Sequence, residues 1–142
     1  MNSILFKQAV FIDTSAVKEL EDSKGEFHLE AHQFAKSAVD FVWVALNATT
    51  HESYTRIRYD HGPQRAIHVY DWLRGPEVTC VPFDEEDEKK ARIDLDRFKS
   101  HKLSFHDALL AAVMKRLGAY RVFSFDHHFY LFGFEVLPGS NA

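Results

Sequence analysis

The run Phe41-Val42-Trp43-Val44-Ala45-Leu46 is apolar throughout and shows no alternation of apolar with polar side chains. A strand with one wet face alternates. One without alternation is covered on both faces, as in a parallel sheet held between helical layers. Val10-Phe11-Ile12, Val78 to Phe83, Tyr120 to Phe125 and Phe134 to Leu137 read as further short strands, with helical segments between most of them. The order is β-α-α-β-α-α-β-α-α-β-β. It implies an α/β fold of three layers, with a central, mostly parallel sheet of four to five strands flanked by helices.

Local signals bound the helices. Asp13-Thr14-Ser15 offers N-caps for a helix through Ser23, and Gly25 breaks the chain. A second helix from about Leu29 to Asp40 would turn Leu29, Phe34 and Val39 inward. Asn47 or Thr49 caps a third helix reaching about Asp60, and His61-Gly62-Pro63 ends it and starts a fourth, closed by Gly75-Pro76. In Asp84-Glu85-Glu86-Asp87-Glu88-Lys89-Lys90, acids precede bases as the helix dipole favours, so the segment reads as a solvated helix face. Ser104 to Leu117 is the clearest helix, with Leu109, Leu110, Val113, Met114 and Leu117 inward and Gly118 as its stop.

A length of 142 residues fits one domain, here 1–138, followed by a short tail, 139–142. No apolar run approaches the roughly 18 residues of a membrane span, and Met1 to Lys7 lacks the pattern of a secretory signal. The single cysteine, Cys80, lies in an apolar run and reads as a buried structural thiol. Together these features point to the cytoplasm. A net charge of −4 disfavours tight non-specific binding to nucleic acid, unless cations offset some of the acids.

Four acids stand at the ends of different elements: Asp13 and Asp126 after strands, Asp107 in the first turn of a helix, and Glu52 one turn into another. In a parallel sheet, strand carboxyl ends and the starts of the following helices share one edge, where ligands bind. Singly, Asp13 and Asp126 could be helix caps, and Ser104-Phe105-His106-Asp107 could form a capping box. Capping gives no reason for all four to share one edge. Carboxylates gathered together repel unless a cation sits among them, and oxygen ligands suit Mg²⁺ or Mn²⁺ better than zinc or copper. Metal-assisted phosphodiester chemistry follows, with water activated by the cation as the nucleophile.

The chain resembles the PIN-domain nucleases, and within them the VapC-type toxins of toxin–antitoxin pairs. The resemblance rests on Phe11-Ile12-Asp13-Thr14-Ser15-Ala16, Glu52, Leu103-Ser104-Phe105-His106-Asp107-Ala108, and Val122-Phe123-Ser124-Phe125-Asp126-His127-His128-Phe129 running into Gly133-Phe134. It implies that Asp13, Glu52, Asp107 and Asp126 bind metal and carry catalysis, with Ser15 and Ser124 as hydroxyls beside the metals. It also implies Mg²⁺- or Mn²⁺-dependent endoribonuclease activity leaving a 5′-phosphate and a 3′-hydroxyl. The partners implied are an RNA substrate, a cognate antitoxin and a second copy of the chain, with no membrane.

Other residues carry two readings each. Arg56, four residues after Glu52, either steadies a scissile phosphate or pairs with Glu52. Lys102, Lys115, Arg116 and Arg121 either line a substrate groove or solvate the surface. His28-Leu29-Glu30-Ala31-His32 lacks the spacing of a zinc-protease helix, because its Glu lies two residues after the first His. His127 and His128 read as a solvent-exposed loop that could reach a phosphate or a metal-bound water. Phe129, Phe132 and Phe134 should mostly pack as core, and any exposed remainder would form a partner surface. Two other function classes compete: a catalytically idle PIN-like module that binds RNA or protein, and a phospho-aspartate module. The second lacks the paired acids it needs, since Ser15 stands where a phosphatase would carry a second Asp.

Overall fold

The computed structural model describes residues 7–139. Most of the amino-terminal segment Met1 to Lys7 and all but Gly139 of the expected tail lie outside them. Five strands, β1 (Ala9–Ile12), β2 (Val42–Leu46), β3 (Thr79–Val81), β4 (Arg121–Phe123) and β5 (Glu135–Leu137), form one sheet in the order β3-β2-β1-β4-β5. Every neighbouring pair is parallel. Strand β1 is one residue longer than the run that encodes it, and the other four are shorter than theirs.

Among the described residues six α-helices cover the sheet: α1 (Thr14–Glu21), α2 (His28–Ser37), α3 (Asn47–His61), α4 (Pro63–Leu73), α5 (Glu85–Arg97) and α6 (Phe105–Leu117). A 3₁₀ segment, His127–Phe132, lies between β4 and β5. Strand side chains divide by parity. Ala9 and Phe11 face a core shared with α5, α6 and the 3₁₀ segment, while Val10 and Ile12 face one shared with α1 to α4. All four residues of β1 are buried, as a strand covered on both faces requires.

Helix α6 is amphipathic only at its ends. Leu109, Leu110, Val113 and Met114 are buried as its pattern predicts, with Leu117 half-buried, and Gly118 takes a left-handed conformation (φ 75°) that stops it.

The structure corrects three expectations. Helix α2 turns in Ala31 and partly Phe34, not Leu29, which is exposed, and it ends before Val39, which is also exposed. Its imperfect period leaves only a narrow apolar stripe. The acidic run before α5 is not simply a solvated face. Asp87 and Asp94 are buried, and Asp87 accepts two hydrogen bonds from Arg116, both at 2.9 Å. Cys80 is half-buried, with burial pushing its thiol pKa up despite the nearby Arg74 charge.

Candidate metal centre

The chain leaves β1 for β2 and β3 on one side of the sheet, then crosses back to β4 and β5 on the other. The crevice outside the carboxyl ends of β1 and β4 is thus the topological switch point, where α/β sheets bind ligands. Asp13 follows β1 directly and Asp126 follows β4 by three residues. The first turn of α6 brings Asp107 and His106 to the same crevice.

Asp13 caps α1 with one oxygen only. Its Oδ2 accepts from the Ser15 N–H (3.2 Å), the Ser15 hydroxyl (2.6 Å) and the Ser124 hydroxyl (2.9 Å). Those hydroxyls are fixed from behind, since Ser15 Oγ accepts from the Phe125 N–H and Ser124 Oγ from the Asp126 N–H, both at 2.9 Å. Each serine therefore spends its one proton on Asp13, and Asp13 Oδ1 turns to the crevice, 3.8 Å from His106 Nδ1.

Asp107 does not complete a capping box. Ser104 Oγ accepts from the Asp107 N–H at 3.0 Å, but no reciprocal bond returns from the Asp107 carboxylate, in contrast to the full box between Asp84 and Asp87. The released carboxylate lies against His106 and near Asp13 and Asp126. Burial raises its pKa most, the charges of Asp13 and Asp126 add to this, and His106 opposes it. Asp126 caps the 3₁₀ segment by accepting from the His128 N–H at 2.9 Å.

One ligand atom each from Asp13, His106 and Asp107 lies within 4.8 Å of the others, and the same holds for Asp107, Asp126 and His128. Glu52 belongs to neither group. Its side chain is 46% exposed at the rim, with its carboxylate 3.7 Å from His106 Nδ1. Among the remaining named residues, Arg56 turns to Asp60 (3.0 Å) instead of Glu52 or the crevice.

His106 is the residue that the sequence reading passed over as a motif neighbour. Its side chain is 7% exposed, with Nδ1 among Asp13, Glu52 and Asp107 (3.8, 3.7 and 3.4 Å) and Nε2 2.7 Å from the buried Thr49 hydroxyl. Burial alone would lower its pKa, but the Asp107 hydrogen bond and the charges of Glu52 and Asp13 hold it above the usual histidine range. Adjacency to Asp107 was the one available signal. His128 is also no loop histidine: its Nδ1 is buried, without a hydrogen bond, 2.8 Å from Asp126 Oδ1.

The other candidate cations have structural roles. Arg116 holds Asp87, Arg121 pairs with Glu135 and donates to the Lys7 carbonyl, and Lys115 lies over the Phe134 ring. His28 and His32 bond the Glu19 and Leu20 carbonyls near the end of α1. Phe129, Phe132 and Phe134 are all buried, so the expected partner surface is not there; of that segment's aromatics only Tyr130 is exposed.

The donor set fits a divalent cation: buried carboxylates that repel one another, an oxygen of Asp13 held free, and the His106 imidazole grouped with them. A parallel α/β sheet with acids converging at its switch point is suited to holding a divalent cation there. The sequence profile of the PIN domain matches residues 10–135, and the chain belongs to that family.

Among solved structures, the chain is similar to Mycobacterium tuberculosis VapC20, a sarcin-ricin loop cleaving toxin, with 25% identity, 88% of this chain and 95% of that one covered, and a TM-score of 0.82. A toxin–antitoxin complex from Klebsiella pneumoniae (16% identity, 85% and 89% covered, TM-score 0.60) and FitAcB from Neisseria gonorrhoeae (14%, 89% and 95%, 0.64) share the fold. No curated protein matches the sequence.

Proposed function

We propose that this chain is a Mg²⁺- or Mn²⁺-dependent endoribonuclease and the toxin of a toxin–antitoxin pair, acting in the cytoplasm as a homodimer held in check by a cognate antitoxin. The observation that carries the reading is the convergence of Asp13, Asp107 and Asp126 at the switch point, with Asp13 held there by two serine hydroxyls. A divalent cation bound there supplies Lewis acidity, promoting deprotonation of an attacking water and offsetting charge on the phosphate oxygens. The protein's part is positional. Ser15 and Ser124 fix Asp13 so that Oδ1 alone is offered, Asp107 is the acid common to both ligand groups, and Glu52 stands at the open rim where substrate would enter. Similarity to VapC20 makes structured RNA the first substrate to test, and similarity to a toxin–antitoxin complex supports the antitoxin. Among the described residues no helix is long and apolar enough to cross a membrane.

The test is cleavage of end-labelled RNA, including a sarcin-ricin-loop hairpin, by the purified protein with Mn²⁺, Mg²⁺ or chelator. Cleavage should need a metal and vanish in Asp13→Asn, Asp107→Asn and Asp126→Asn proteins that fold normally. Full cleavage by Asp107→Asn, or cleavage in chelator, would sink the reading.

A further inference from the structure

His106 Nδ1 faces three carboxylate oxygens at 3.4 to 3.8 Å. An imidazolium gripping those oxygens would draw them to about 2.7–2.9 Å, the length of a charge-assisted hydrogen bond. Ligands sharing one small divalent cation at about 2.1 Å stand farther apart, about 3.0 Å when adjacent and about 4.2 Å when opposite. The distances to Asp13 and Asp107 fall inside that interval. On the other side of the ring, Nε2 lies 2.7 Å from the Thr49 hydroxyl, a buried partner that can take the Nε2 proton, so that a cation displacing the long 3.4 Å bond to Asp107 would meet a lone pair on Nδ1. Metal-bound histidines are commonly oriented in this way by a bond at their other nitrogen.

His128 does not repeat the pattern. Its Nδ1 lies 2.8 Å from Asp126 Oδ1, the length of a charge-assisted pair and short of the spacing of two ligands on one cation.

We propose that His106 is a nitrogen ligand alongside Asp13 and Asp107, so that the centre is a mixed nitrogen–oxygen site selecting Mn²⁺ over Mg²⁺. Imidazole suits transition cations, whereas Mg²⁺ takes oxygen almost exclusively. The inference rests on the metal-centre reading above, and its test reads coordination instead of cleavage, so the two fail separately.

The experiment is pulsed electron paramagnetic resonance on Mn²⁺ bound to the protein, with and without ¹⁵N-histidine labelling, and Mn²⁺ and Mg²⁺ titrations of wild type and His106→Gln. Glutamine keeps an oxygen donor and removes the imidazole. Bound Mn²⁺ should show nitrogen modulation that labelling changes, and His106→Gln should remove it. Mn²⁺ affinity should fall roughly tenfold or more while Mg²⁺ affinity changes by less than about threefold. The labelled wild type gives an answer even if a variant fails to fold. Bound Mn²⁺ without nitrogen modulation, or modulation unchanged in His106→Gln, overturns the proposal.

Discussion

The Ser124 hydroxyl donates to Asp13 Oδ2 at 2.9 Å across 111 residues of sequence, and in the same geometry accepts the Asp126 N–H. One side chain thus ties the acid after β1 to the acid after β4. It divides the labour of Asp13 between its two oxygens, one for the helix cap and serines, the other for the crevice.

Ser124→Ala should therefore loosen both acids at once. Metal affinity should fall roughly 10- to 100-fold, the usual effect of losing a bond that orients a ligand. Stability should drop by about 1–2 kcal/mol, because a buried carboxylate oxygen and a backbone N–H lose a partner. Calorimetric Mn²⁺ titration and thermal melts measure the two effects. An unchanged Mn²⁺ affinity would show that the other two donors to Asp13 suffice.

The order of elements along the chain and the meeting of Asp13, Asp107 and Asp126 at one sheet edge were legible because they follow local rules. Unalternating runs such as 41–46 demand two-sided cover, and acids after strands share an edge once the crossovers are right-handed. Asp87 was not legible. Its partner, Arg116, is 29 residues away on α6, and the first turn of any helix favours acids, buried or not. His106 was hidden similarly: Thr49, Glu52 and Asp13 meet it only through the fold. Leu29 failed for the opposite reason, an apolar residue with no neighbouring element to cover it.

The Asp87–Arg116 pair gives a pH signature away from the metal centre. Burial alone would raise the Asp87 pKa, but the Arg116 hydrogen bonds, aided by the Asp84 N–H, hold it below the ordinary 3.8. The unfolded chain thus binds more protons between the two values, so stability is complete above about 3.8 and is lost as pH falls through the folded value. Arg116→Ala should cost about 2 kcal/mol, less than a fully buried pair because 40% of the Arg116 side chain stays in solvent. Acid titration of the unfolding free energy should show the loss in wild type and a flatter profile in Asp87→Asn. Equal slopes would assign the acid sensitivity to other carboxylates.

Arg56 offers a sharp negative. Its guanidinium is bonded to Asp60 on the exposed face of α3, with 49% of the side chain in solvent. Arg56→Ala should change stability by about 0.5 kcal/mol at most and leave RNA cleavage within about threefold, less than the loss expected of a positioned phosphate clamp. Single-turnover kinetics would decide; a tenfold or greater loss would restore Arg56 to the substrate.

Asp107→Asn separates a metal centre from a set of helix caps. The Asp107 N–H already bonds Ser104 Oγ, so the carboxylate is not needed for the cap and amide substitution leaves that bond intact. What the carboxylate adds is charge. Buried near Asp13 and Asp126, it is harder to ionise than an ordinary carboxyl, so its ionised form weakens the metal-free fold. In chelator, the Asn variant should melt at the same temperature as wild type or higher. A divalent cation that binds only the folded state should then reverse the order. At about 100 times its dissociation constant it adds roughly 2.7 kcal/mol to wild type, and the variant, lacking the acid common to both ligand groups, should gain much less. Thermal unfolding of both proteins, in chelator and in excess Mn²⁺, provides the four values needed. Equal gains on adding Mn²⁺ would place the metal elsewhere.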